Sequence, residues 1–156
     1  MTSVLFVSTI AIVVSGLMVG NEIAVGFFVH PKLWTLDEAT HLRAVQPLAQ
    51  LYGAFMPFWY GATLLTSAML TYQLYTPSIT LAFQLGLVAS LLWGLSIIYT
   101  LIGPAPINSR VAQWNLDQPP TDWQVQRRRW DQLHQWRVVG LSIAFILITL
   151  AGLMAN

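Results

Sequence analysis

The chain has 156 residues, 56% of them hydrophobic and only 8% charged, with a mean hydropathy of +0.61. That balance excludes an ordinary soluble domain and points to a small integral membrane protein. A net charge of +1 gives no footing for nucleic acid, and the absence of cysteine excludes disulfides, thiolate nucleophiles, Cys-ligated zinc and iron-sulfur clusters.

A bilayer core about 30 Å thick needs roughly 20 apolar residues of helix. Residues 4–29, 48–74, 79–102 and 138–154 meet that test. The expected fold is all-α: one domain over 1–156, an integral membrane four-helix bundle with a polar interfacial helix and loop region on one side. The first span opens MTSVLF, with no basic segment before it and no small-residue cleavage site after it, and reads as retained rather than secretory. Within it, GNEIAVGFF carries Glu22. An acid near the middle of a membrane helix costs about 2.5–3.5 kcal/mol, which makes Glu22 a functional candidate by default. The alternative is a protonated or hydrogen-bonded Glu that only joins helices.

The connection 30–47 begins at His30, which either finishes the first helix facing water or acts as a ligand or binding group. HPKLWTLDEATHLRAVQ reads as an interfacial segment with a short helix starting near Thr35 or Asp37, and His41 as a solvated residue on it. In the second span Pro57 should kink the helix, and TPS at 76–78 should make the turn into the third. Small residues recur at four-residue spacing as Gly16, Gly20 and Ala24, as Gly53 and Gly61 around Pro57, and as Gly86, Ser90 and Gly94. Such stripes allow close helix contact in lipid.

The connection 103–137 holds the densest chemistry. GPAPIN should end the third span, and a helix should start at Thr121 or Asp122 and run continuously into the fourth span. RRRWDQLHQWR, residues 127–137, contains four of the seven basic residues, two of the seven Trp and one of the three His. Arg127, Arg128 and Arg129 read as a membrane anchor. Arg127, Trp130, His134 and Arg137 share one helix face, suited to a planar or anionic organic molecule or else simply solvated. All seven basic residues fall in the two long connections, which places those connections in the cytoplasm and both termini outside, in a plasma or inner membrane.

Pro106, Ile107 and Asn108, followed by Trp130, His134 and Arg137 in a Trp-x-x-x-His-x-x-Arg spacing, resemble the small four-span membrane proteins that include the anthrone oxygenases. The resemblance implies oxidation of an anthrone-like polycyclic phenol to a quinone with O2 as co-substrate and no obligatory cofactor. On that reading His134, Asn108, Arg137 and Glu22 are the catalytic candidates, and Trp130, His30 and Trp114 bind substrate. His30, His134 and Glu22 are ligand types that non-haem iron or copper accepts, and two His suit haem. Against a metal, there is no Glu-x-x-His or His-x-x-x-His, and five of the six acids lie in the connections. The expected partners are the bilayer and a hydrophobic aromatic molecule, with homo-oligomerisation left open. A non-catalytic protein that binds lipid, quinone or haem, or an accessory subunit of a membrane complex, is the competing reading.

Overall fold

The computed structural model describes residues 2–76 and 80–155, and all the regular structure among them is helical. Helix α1 (Thr2–Ala24) passes through a π-helical turn (Val25–Val29) into the short α2 (His30–Leu33). Then follow α3 (Glu38–Leu74), α4 (Leu81–Ile102), α5 (Pro104–Val111) and α6 (Trp123–Met154). The four long helices pack in the ring order α1, α3, α4, α6, each against two neighbours, as a four-helix bundle.

Three helical stretches, Ser3–Leu33, Leu81–Ile102 and Trp123–Met154, are long and apolar enough to cross a membrane. The 48–74 part of α3 is less apolar, yet it exposes Leu51, Phe55, Phe58, Leu65, Met69 and Tyr72. Asp37 caps α3, its carboxylate accepting from Thr40 N–H at 3.0 Å, and the helix then runs unbroken past Pro47 and Pro57. The separate interfacial helix expected near Thr35 is therefore the first part of α3 itself. Each internal proline lacks the N–H that would bond four residues back, so Pro57 leaves the Gly53 carbonyl without its helical donor. Pro77 and Ser78 of the expected turn lie outside the described residues.

Gly103 ends α4, and Pro104 starts α5 at a position where a missing N–H costs nothing. Helix α6 starts after Asp122 and is continuous to Met154, so the charged cluster and the fourth span form one rod.

Apolar side chains fill the bundle in three tiers. Ala11, Leu70, Ala89 and Ile148 belong to the tier near the termini, Met18, Tyr60, Trp93 and Leu141 to the middle one, and Val25, Val45, Ile107, Val111 and Trp130 to the one near the charged connections. The small-residue stripes serve two ends. Gly86 lets α4 approach α3 so closely that an added Cβ would stand 2.8 Å from Thr71 Oγ1. Gly61 has nothing within 4 Å of such a Cβ, and Gly53 meets only Asn108 Nδ2 at 3.5 Å, so those two face open space rather than a packed helix.

Candidate functional site

Hydropathy alone puts Glu22 about 10 Å below the membrane surface and His134 about 6 Å above it, at 1.5 Å per residue. The structure brings them together. His134 Nε2 donates to the Glu22 main-chain carbonyl at 3.0 Å, and Arg137 Nη2 donates to Glu22 Oε2 at 2.8 Å. Glu22 and His134 are each 2% exposed. Helix α6 achieves this by entering the bundle well before residue 138, with its polar face turned inward.

That face is the row Arg127, Trp130, His134 and Arg137, all four buried, so the solvated alternative does not hold. A carbonyl can only accept, which makes His134 the Nε2–H tautomer in its neutral form. Its Nδ1 then accepts from Arg137 Nη2 at 2.8 Å. Arg137 also donates from Nη1 to Thr100 Oγ1 at 3.3 Å, and its guanidinium lies 5.7 Å from the centre of the Tyr60 ring. One arginine thus ties α1, α4 and α6 together around a buried carboxylate.

Trp130 stacks on His134 at 4.7 Å and on His30 at 4.6 Å between ring centres. His30 is buried rather than facing water, and its Nδ1–H donates to Asp131 Oδ1 at 2.8 Å. Trp34 Nε1 donates to the other oxygen of the same carboxylate at 2.6 Å. Arg127 Nη2 stands 2.9 Å from His30 Nδ1 and 3.8 Å from Asp131 Oδ1. A nitrogen that donates to a carboxylate cannot also accept from a guanidinium, so the attraction on Arg127 is that of the Asp131 charge. Arg127 is therefore an internal residue, 2% exposed, with its guanidinium 4.8 Å from the Trp130 ring, and not part of a surface anchor. Arg128 and Arg129 are exposed, and Arg128 covers Trp34.

The π-helical turn gives α6 its close approach. A Cβ on Gly26 would lie 2.8 Å from His134 Cδ2 and 3.0 Å from its Nε2, so only glycine leaves room for the imidazole. Pro31, which has no N–H of its own, stands beyond the widened turn with one residue between them. His41, expected in solvent, is buried against Trp34 and Trp123, with Nδ1–H donating to the Leu33 carbonyl at 2.9 Å. Burial, opposed by that hydrogen bond, holds its pKa below the usual imidazole range.

Beside this network lies a cavity of about 360 Å³ between α3, α4, α5 and α6. Tyr60, Asn108, Trp130 and Arg137 supply its polar wall, and Gly53, Pro57, Gly61, Ile97 and Leu101 much of the rest. Tyr60 Oη, Trp130 Nε1 and Arg137 Nε are buried and have no hydrogen-bond partner. Glu22, His134 and His30 do not line this space; Glu22 and His134 sit behind Arg137. Asn108 and His134 are not bonded to one another: Asn108 Nδ2 donates to the Ala49 carbonyl at 2.8 Å, fixing α5 to α3, and Glu22 sets the His134 tautomer instead. Trp114 packs on the tier near the charged connections, its carbonyl accepting from Gln46 Nε2 at 2.8 Å, and does not reach the cavity. Among the described residues no group of three or more His, Cys, Asp or Glu side chains converges so as to hold a metal ion.

Tyr60 and Thr100 escaped the sequence reading. A hydroxyl on an apolar helix close to Pro57 is the same kind of signal as Glu22, a polar group set in hydrocarbon, and Tyr60 was open to that argument.

The family model described as anthrone oxygenase matches residues 49–147, which runs from the second long helix through Tyr60, Asn108, Trp130, His134 and Arg137. The chain belongs to the anthrone oxygenase family. No curated protein and no solved structure matches it. In this family member, Glu22, His30 and Gly26 lie outside the matched stretch, yet they complete the network from α1 and the wide turn that follows it.

Proposed function

We propose that this protein is a membrane-embedded oxygenase that converts an anthrone-type polycyclic phenol to the quinone with O2, in the cavity beside Arg137. The observation that carries this reading is the cavity itself, lined mostly by apolar residues and bounded on one side by Tyr60, Asn108, Trp130 and Arg137, with the buried Glu22 behind Arg137. A flat ring system bearing phenol and keto oxygens suits such a space, its rings against the apolar lining and its oxygens toward the polar side.

The reaction needs no outside reductant. The substrate methylene loses one proton to leave a carbanion conjugated with the phenolate, and the carbanion adds O2 and a proton to give a hydroperoxide. Loss of water leaves the carbonyl, so one oxygen atom enters the quinone and the other departs as water. The chain's contribution is to take the first proton and hold the anion. Tyr60 stands between the cavity and Glu22, so its hydroxyl can pass the proton to the carboxylate. As Glu22 becomes neutral, Arg137 exchanges one anionic partner for another, and the buried site keeps its net charge. His134 has both ring nitrogens engaged and acts as a positioning residue that holds Arg137 and the α1 backbone. Asn108 and Trp130 orient the ring system. The two connections carrying every basic residue face the cytoplasm in this reading, with both termini outside.

The test is turnover by purified protein in lipid nanodiscs supplied with an anthrone under ¹⁸O2, against protein-free nanodiscs. The expected result is one labelled oxygen per quinone, with a rate that falls to background on Arg137→Ala. Saturable binding of the anthrone without any acceleration of its oxidation would instead establish a binding protein.

A further inference from the structure

We infer that the cavity takes its ligand sideways from the hydrocarbon layer, through a cleft between α3 and α4. This rests on the reading that the ligand is a planar polycyclic phenol, and it adds the route and the phase from which that ligand comes. The rim residues Gly53, Pro57, Gly61 and Leu101 line the cavity and are themselves exposed. Gly53, Pro57 and Gly61 lie at four-residue steps on α3 and Leu101 lies on α4, flanked by the exposed apolar residues Phe58, Leu65, Ile98 and Ile102. The mouth is therefore apolar and opens on the flank of the bundle. The far wall is the opposite in character, because Trp130 and Arg137, 6% and 8% exposed, line it there.

The two glycines give the cleft its shape. A side chain at either position would extend into the space a flat ring system crosses, since neither glycine is pressed against another helix. Pro57 between them has no N–H to occupy the Gly53 carbonyl, which leaves an acceptor at the rim for a phenol hydroxyl. A lipid-soluble ring system thus slides in edge first, oxygens toward Arg137.

The chain has no cysteine, so single-cysteine spin labels report single positions. Leu65→Cys, one step beyond Gly61 at the flank of the mouth, and, separately, Leu101→Cys would be labelled in lipid vesicles, with Gly20→Cys on α1 as control, because Gly20 is exposed and has nothing within 4 Å of an added Cβ. Labels at 65 and 101 should be relaxed by O2, which partitions into lipid, and not by a water-soluble nickel complex. Anthraquinone dissolved in the bilayer should then immobilise both labels and leave the label at 20 unchanged. Relaxation by nickel at 65 and 101 would overturn the lateral route, as would anthraquinone affecting all three positions alike or none. None of these readouts involves turnover, so a protein that fails to oxidise anthrones could still pass this test, and an active one could fail it.

Discussion

Arg137 Nη2 meets Glu22 Oε2 at 2.8 Å between helices α6 and α1, and both residues are buried. Removing one member of a buried ion pair leaves an unpaired charge, at a cost of about 3–5 kcal/mol. Arg137→Ala should therefore lower the melting temperature in detergent sharply. Arg137→Lys should recover little of it, because an ammonium cannot span Glu22, His134 and Thr100 in one plane. Glu22→Gln keeps the shape and a hydrogen-bond acceptor but also leaves the Arg137 charge unpaired, so it should fold with a lowered melting temperature, while turnover measured below that temperature falls by a hundredfold or more. A fully active Glu22→Gln protein would remove Glu22 from the chemistry.

Gly26→Ala tests the closeness of the wide turn to His134. The imidazole is held at both nitrogens and cannot swing away from the new methyl, so overpacking of about 1–3 kcal/mol is expected. Thermal unfolding should show that loss, and activity should fall with it. Gly20→Ala, which meets nothing within 4 Å, should change neither.

Tyr60→Phe separates chemistry from packing. The hydroxyl lies beside Glu22 and Thr100 without a close hydrogen bond to either, so deleting it should change the melting temperature little. If it relays the proton to Glu22, kcat should drop about a hundredfold, the lower range for general acid–base catalysis, with little change in KM. A kcat within twofold of the parent would show that the proton leaves by another path.

His41 predicts a dependence of stability on pH. Its folded pKa is depressed by burial, so the fold favours the neutral ring, and the unfolded chain binds the proton more readily. The stabilisation is complete above the unfolded value of about 6.5 and declines as pH falls below it. The melting temperature should thus fall between pH 7 and pH 5, and the fall should be smaller for His41→Gln. Equal slopes for the two proteins would show that His41 does not contribute.

The helical class, the continuous α6 and the grouping of Arg127, Trp130, His134 and Arg137 on one face of it follow from residue spacing, because period and length are local properties of a chain. Burial of that row is not local. Asp131 is four residues from Arg127 on the same helix, but Arg127 and His41 looked solvated because their burial depends on α6 docking against the stretch around Trp34 and the start of α3, which no spacing reveals. Asn108 and His134 share one connection and one candidate site, yet the partner of the His134 ring is a main-chain carbonyl on α1. Main-chain acceptors leave no trace in side-chain identity. The cavity was equally hidden, since glycines that line a void and glycines that admit a packed helix look alike until the helices are in place.

The π-helical turn at Val25–Val29 sets an angular phase as well as a width. Glu22 and His30 are eight residues apart, and on a regular helix of about 100° per residue they would diverge by about 80°. A wide turn takes up roughly one residue without advancing the rotation, so the two end within about 20° of a common direction. Both can then address α6, one through Arg137 and His134 and the other through Asp131. The turn works as a gear with one idle tooth. Rewinding the turn as regular helix with no residue removed would preserve the length and greasiness of the span, yet rotate everything beyond it, His30, Trp34 and the elbow into α3, by roughly 100° away from the helix they now serve, whereas deleting one residue would restore the phase.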